Sequence, residues 1–392
     1  MLGKLSSVRK HIISSTFMIS TLYLSNSLFY PFLTPYLLSH GFDKQQISFI
    51  SALAPLTLIL FPPIFGKLSD IIGRRKVISI TIAIFVVSLL FYLGVGHSYL
   101  FLVVATVLSY IGFDNASAVI FSKNEDSLKK HRSLYTGVFE SLKNVGGLIG
   151  AGVGTYIVAT SKTDNTIKLS ILILVLLFIY NTFRKRHERI PLNLHGLNPL
   201  TSIREFWAIR DLRGMGILGI AMHFANAASI IFIPVLLIQG LHADIRYIGY
   251  FAAAGSLAHL TQFGFGYACE LYGQGRTILW STFIYGLLIT LLFFANSPWV
   301  VVAFGLLGGL ALSAWNTSAV CYMSVIGERL REEGLVMGSY TAVASIGSFA
   351  GFIVSGILVS LVATNYLFPI YGAVIFVGVA LSYPYFRRSR HY

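Results

Sequence analysis

Three ionisable side chains, Asp114, Glu140 and Lys143, stand inside otherwise apolar stretches of the chain. Placing such a group in the middle of a bilayer costs about 2.5–3.5 kcal/mol on insertion scales, so each is expected to line a cavity and to pair. Asp114 lies near the end of its apolar stretch and Glu140 near the start of the next. At about 1.5 Å per helical residue, both fall about 10 Å deep and share a layer. Glu140, Lys143 and Asn144 follow i, i+3, i+4 spacing on one helix face, where Lys143 can neutralise either Glu140 or Asp114. Two acids with one base keep a negative charge that protonation removes. That chemistry suits proton coupling or cation binding; a structural ion pair is the alternative. His223 with Asn226, and His259 with Gln262, lie at i, i+3. An imidazole titrates near neutral pH and suits a proton relay, and it suits a hydrogen-bonded packing role equally. Asn26, Tyr30, Asn115, Trp315, Asn316 and Tyr340 are candidate substrate contacts, or polar contacts that hold helices together.

The elements that carry these residues follow from composition. The 392 residues are 55% hydrophobic and only 11% charged, far below the usual quarter of charged residues in a soluble domain. Apolar runs long enough to cross about 30 Å of hydrocarbon recur throughout. Spans are expected at about 12–38, 47–66, 77–96, 99–121, 133–158 and 167–183, then at about 214–238, 247–267, 277–295, 299–322, 335–362 and 366–386. The expected fold is an all-α membrane protein with twelve transmembrane helices in two pseudo-symmetric six-helix bundles. Residues 1–183 form the first bundle and 214–392 the second, joined by a cytoplasmic linker over 184–213. The stretch "LTSIREFWAIRDL" in that linker fits an amphipathic helix on the inner leaflet, or a plain tether.

The net charge of +14 is dispersed over short connectors, which argues against a nucleic-acid partner. With twelve spans, 24 of the 29 Lys and Arg fall on one face, which places both termini in the cytoplasm. The basic start of the chain runs into an apolar stretch without a small-residue cleavage site, so an uncleaved first span is expected. Cys269 and Cys321 offer no CxxC spacing and are expected as buried thiols. No metal or cofactor site is expected.

The two halves repeat at an offset of 200 or 201. Gly66, Asp70, Gly73 and Lys76 match Gly266, Glu270, Gly273 and Arg276. Asn115 in "NASAV" matches Asn316 in "NTSAV", Gly137, Gly146 and Gly150 match Gly338, Gly347 and Gly351, and Asn26 matches Asn226. Such a duplication implies two bundles with a site between them that opens alternately to each side. The turn "GKLSDIIGRRK" carries Gly66, Leu68, Asp70, Gly73, Arg74 and Arg75. In this it resembles the loop 2–3 signature of the major facilitator superfamily, with Ile71 in place of the usual basic residue. The resemblance implies a latch of Gly66, Asp70, Gly73, Arg74 and Arg75, with Glu270 and Arg276 as the second-half counterparts, bracing the cytoplasmic helix ends in one access state. Glu125 or Asp126 is a candidate partner for Arg74. The tight connection itself suggests that Gly66 and Gly73 serve the backbone, through positive φ or close approach. The glycines of "GGLIGAGVG" resemble that family's antiporter motif, but Ala151 replaces its proline, and Leu108 stands where the family places an arginine.

The expected function is secondary transport of a small organic solute by alternating access, coupled to protons, with export favoured over import on the resemblance. The protein is expected to work as a monomer in the bilayer of the inner (plasma) membrane. Import of a small metabolite or siderophore-like molecule, and lipid or amphiphile flipping, are the alternatives within transport. An intramembrane enzyme or a non-transporting receptor is the alternative outside it. No HExxH, GxSxG-like elbow or P-loop occurs.

Overall fold

In a computed structural model, residues 2–125, 132–183, 199–330 and 333–388 are described, apart from the side chains of Asp70, Glu125, Glu140 and Glu270 among others. The first span is α1 (Leu2–Phe29), continued through a 3-10 turn by α2 (Leu33–Ser39). The second is α3 (Lys44–Ser51) with α4 (Leu53–Ile72), and spans three to six are α5 (Arg74–Leu93), α6 (Tyr99–Glu125), α7 (Arg132–Thr160) and α8 (Asp164–Phe183). A short linker helix α9 (Pro199–Ala208) precedes α10 (Arg210–Val235), α11 (Arg246–His259), α12 (Gln262–Tyr272), α13 (Gln274–Leu291), α14 (Pro298–Leu330), α15 (Glu333–Leu358) and α16 (Leu367–Arg388).

Among the described residues, nine helical segments are long and apolar enough to cross a membrane. The other three expected spans are helical as well: the first as α1 with α2, the fifth as α7, and the eighth as α11 and α12, which a break at Leu260–Thr261 separates. The first helix also starts at Leu2, so the basic stub expected before it is helical.

The connection at 66–76 is tighter than a loop. Helix α4 runs to Ile72, Gly73 alone turns the chain with φ 92° and ψ 139°, and α5 starts at Arg74. Gly273 does the same with φ 85° and ψ 135°. Only glycine occupies that region without strain. Gly66 is different: it sits inside α4 with nothing within 4 Å of where a Cβ would be, so neither turn geometry nor packing accounts for it, contrary to the backbone role expected from the sequence.

Each half is built on one close helix seam. A Cβ at Gly146, Gly150 or Gly154 of α7 would fall on the carbonyl of Ser20, Leu24 or Leu28 of α1. In the second half, Gly347 and Gly351 of α15 lie against the carbonyls of Ile220 and Phe224 of α10 in the same way. Small residues let backbones approach where lipid supplies no hydrophobic drive between helices.

The halves meet through α7 against α11 and through α3 and α4 against α15. Toward the face opposite the expected cytoplasmic one, Ser48 Oγ donates to the Phe352 carbonyl at 2.7 Å, and Lys44 Nζ donates to Thr364 Oγ1 at 3.3 Å. Gly356 gives the Ser48 and Phe49 side chains room beside it, and Gly249 does so for Thr155. The outer ends of the bundles are therefore drawn together.

Candidate transport site

Helix α6 places Tyr110 and Asp114 one turn apart. Tyr110 Oη lies 2.6 Å from Tyr30 Oη in the turn between α1 and α2, a bond that joins spans one and four. Oδ2 of Asp114 is buried without a hydrogen-bond partner, Lys143 included. Lys143 of α7 instead holds its Nζ 5.0 Å from the centroid of the Tyr23 ring, and Tyr23 packs on Phe113 with centroids 5.1 Å apart. Of the two acids expected to accept Lys143, Asp114 therefore does not pair with it through Oδ2, and the side chain of Glu140 lies outside the described residues. Asn144 is half-buried on the same helix.

A second group forms in the other half. His223 on α10 lies 5.6 Å from Trp315 on α14 and 6.5 Å from Tyr340 on α15, measured between ring centroids. Trp315 Nε1 and Tyr340 Oη are buried donors without partners. Tyr340 packs over Gly219, and its far side meets Phe206 of the linker helix at 6.4 Å. Nearby on α10, Asn226 Oδ1 accepts from Tyr285 Oη at 3.3 Å. His259 contacts Ser313 Oγ through Nδ1 at 2.7 Å, which ties α11 to α14. Asn26 and Asn316 are half-buried at their positions on α1 and α14.

Asn115 belongs elsewhere. Its Nδ2 donates to the Ile111 carbonyl at 2.8 Å, its Oδ1 is buried without a hydrogen-bond partner, and the residue lines a cavity of about 210 Å³ together with Arg74, Phe65, Gly66 and Ser69. It thus sits with the expected latch rather than with Asp114. Arg75 faces away from that cavity: Nε donates to the Asn181 carbonyl at 2.7 Å, and Asn181 Nδ2 donates back to the Arg75 carbonyl at 2.9 Å, fastening α5 to α8 within one half. Arg276 is exposed, and the side chains of Asp70 and Glu270 lie outside the described residues, as do Asp126 and residues 184–198. Cys269 is buried, with Sγ 2.8 Å from Ser318 Oγ.

Sequence reading missed Tyr23, Tyr110, Ser313 and Phe206. Tyr110 carried a usable signal, since it precedes Asp114 by one helical turn on the same face.

Two helical bundles with matching seams, a polar layer in their membrane-embedded parts and outer ends drawn together define a multi-pass membrane transporter. The sequence profile described as Major Facilitator Superfamily matches residues 16–258 and 215–392. The chain belongs to that family. The quinolone resistance protein NorA of Staphylococcus aureus is 21% identical over 384 residues, covering 96% of this chain and 95% of its own. The vacuolar membrane amino acid uptake transporter fnx2 of Schizosaccharomyces pombe is 26% identical over 147 residues, covering 37% of this chain and 25% of its own. Among solved structures, a point mutant of the nucleoside transporter NupG superimposes with a TM-score of 0.82 at 12% identity, covering 97% of this chain and 100% of its own. The human organic anion transporter MFSD10 (TETRAN) does so with a TM-score of 0.70 at 17% identity, covering 96% and 99%. At those identities the structural likeness speaks for the fold.

Proposed function

We propose that the protein exports a small amphipathic organic solute in exchange for protons, by alternating access between a first bundle over 1–183 and a second over 214–392. The carrying observation is the buried Asp114 carboxylate, whose Oδ2 has no hydrogen-bond partner. A carboxylate with an unsatisfied oxygen at that depth is expensive to keep ionised, and protonation removes the expense. Asp114 thus serves as the coupling acid, and the His223, Trp315 and Tyr340 group as the aromatic wall for the solute. The relative named for quinolone resistance, which matches nearly the whole chain, favours export of an aromatic solute. The uptake transporter favours import but matches only 37% of the chain. Arg74, with Gly66, Asp70, Gly73 and Arg75, acts as the latch at the cytoplasmic ends; Glu270 and Arg276 stand at the equivalent second-half turn. The distribution of basic residues supports both termini in the cytoplasm, and the bacterial relative matching nearly the whole chain supports the plasma membrane, where the protein works as a monomer.

The test is solute counterflow and pH-gradient-driven accumulation in proteoliposomes, run with a panel of amphipathic aromatic compounds that includes quinolones. Wild type should accumulate at least one compound against its gradient, and Asp114→Asn should keep counterflow while losing the response to the pH gradient. Unchanged gradient-driven accumulation by Asp114→Asn would remove the coupling role.

A further inference from the structure

Helix α6 carries Thr106, Tyr110 and Asp114 at i, i+4 and i+8, a single stripe that runs inward from the outer end of the helix. Beside it is a pocket of about 30 Å³, lined by Tyr30, Thr34, Ser51, Tyr92, Thr106 and Tyr110 among apolar side chains of both halves. A water needs about 10–15 Å³ of such volume and two to four polar partners, so the pocket has room and hydroxyls for about two. On its outer side, Tyr92 Oη lies 3.3 Å from Thr106 Oγ1. On its inner side, Tyr30 Oη and Tyr110 Oη are 2.6 Å apart. One helical turn further in, a rise of about 6 Å that a single water spans, lies Asp114, whose Oδ2 is buried with an acceptor site unfilled.

We propose that this stripe is a proton route, separate from the solute path, by which Asp114 is loaded from the outer side while the bundle ends are drawn together. The inference rests on the reading of Asp114 as the coupling acid. A proton arriving at the pocket water is taken by a hydroxyl oxygen, which releases its own O–H proton inward. Each hydroxyl ends neutral, and Asp114 ends as the carboxylic acid. The route is built from groups that keep their charge: Tyr92 on α5, Tyr30 in the turn after α1, and Thr106 and Tyr110 on α6. The neighbouring cation, Lys143 on α7, is placed over Tyr23, outside this pocket. Two waters and two hydroxyl pairs are too narrow a conduit for an organic solute, which lets protons and solute cross at different stages of the cycle.

The test needs no solute. In purified full-length protein, the carbonyl stretch of protonated Asp114 is identified by infrared difference spectroscopy as the band absent from Asp114→Asn, and its growth is followed after an acid jump. Removal of a positioned proton-transfer group typically slows a step a hundredfold or more, so Tyr110→Phe and Tyr30→Phe should each slow the band by roughly tenfold at least, with the same final amplitude. Rates within about twofold of wild type in both variants overturn the route while leaving Asp114 as coupling acid. Loss of amplitude along with rate also overturns it, because it marks Tyr30 and Tyr110 as structural. A band missing from wild type refutes the coupling reading as well.

Discussion

Replacing Gly150 with alanine should weaken the first bundle, and the same change at Gly152, two residues along α7, should not. A Cβ on Gly150 falls on the Leu24 carbonyl, 3.0 Å from Ser27 Cβ and 3.1 Å from the Leu24 carbonyl carbon, where ordinary contact starts at 3.4 Å. The obstacle is helix backbone, which cannot rotate aside, so α1 and α7 must separate along a seam that Gly146 and Gly154 share. Overpacking of this sort costs about 1–3 kcal/mol. Gly152 has nothing within 4 Å, and there alanine gains only its helix preference, about 1 kcal/mol. The two variants should therefore differ by about 2–4 kcal/mol, or about 30- to 1,000-fold in the unfolding equilibrium. Reversible unfolding in mixed micelles, followed by circular dichroism against increasing denaturing detergent, reads that difference. Coincident midpoints would refute the seam as the reason for glycine at position 150. Gly351→Ala, which meets the Phe224 carbonyl, should repeat the loss in the second bundle.

Gly73→Ala and Gly273→Ala should each cost about 1–3 kcal/mol in the same assay, and asparagine should do no better, because ψ near 135–139° lies outside the left-handed well that asparagine tolerates. Ser48→Ala removes a bond between the halves at their outer ends, worth about 0.5–1.5 kcal/mol, and should shift the access equilibrium about 2- to 10-fold toward outward opening. Spin labels at Gln45 and Leu361 would report that shift as a longer distance. Phe206 is buried under Tyr340, so Phe206→Ala should leave a void costing about 3–5 kcal/mol and should raise the KM for transported solute more than Trp207→Ala does. Asp244 accepts from the Arg246 guanidinium and backbone N–H, which holds its carboxyl below the usual range. The order this pair gives the loop is present above the unfolded value of about 4 and lost as pH falls through the lower folded value. The protection factors of residues 241–247, each exchange rate compared with its intrinsic rate at that pH, should therefore fall on acidification, and in Arg246→Gln they should be low throughout.

The spans were legible because about 20 apolar residues leave the chain few alternatives in a membrane, and each expected span overlaps an observed helix. The side-chain groups were less legible, for a physical reason. Helices such as α1, α8 and α10 have almost no apolar face distinct from a polar one, so their rotation about the axis, which decides who meets whom, is set by packing rather than by periodicity. Tyr30 and Asn115 both looked like solute contacts from spacing alone. Packing put Tyr30 beside Tyr110 and turned Asn115 toward Arg74. Arg74 and Arg75 looked equivalent, yet a step of about 100° around α5 sends one toward the cavity at the turn and the other to the end of α8.

The duplication goes deeper in the backbone than in the sequence. Among the described residues, positive φ occurs at Gly41, Gly73, His242 and Gly273. These four form two pairs, 41 with 242 and 73 with 273, at the offsets of 201 and 200 found from side-chain identities. The pair at 73 and 273 could be read directly, because no other residue fits its φ and ψ. The pair at 41 and 242 could not, because a φ of 46° at His242 lies in the left-handed well that histidine occupies at modest cost. Glycine matching therefore detects the repeat where the backbone is most demanding and misses it where the turn is merely left-handed. Equivalent function need not follow equivalent turns. Arg74 lines the cavity at the first turn, whereas Gln274 stands at its counterpart, so the two turns share a backbone conformation without sharing that guanidinium.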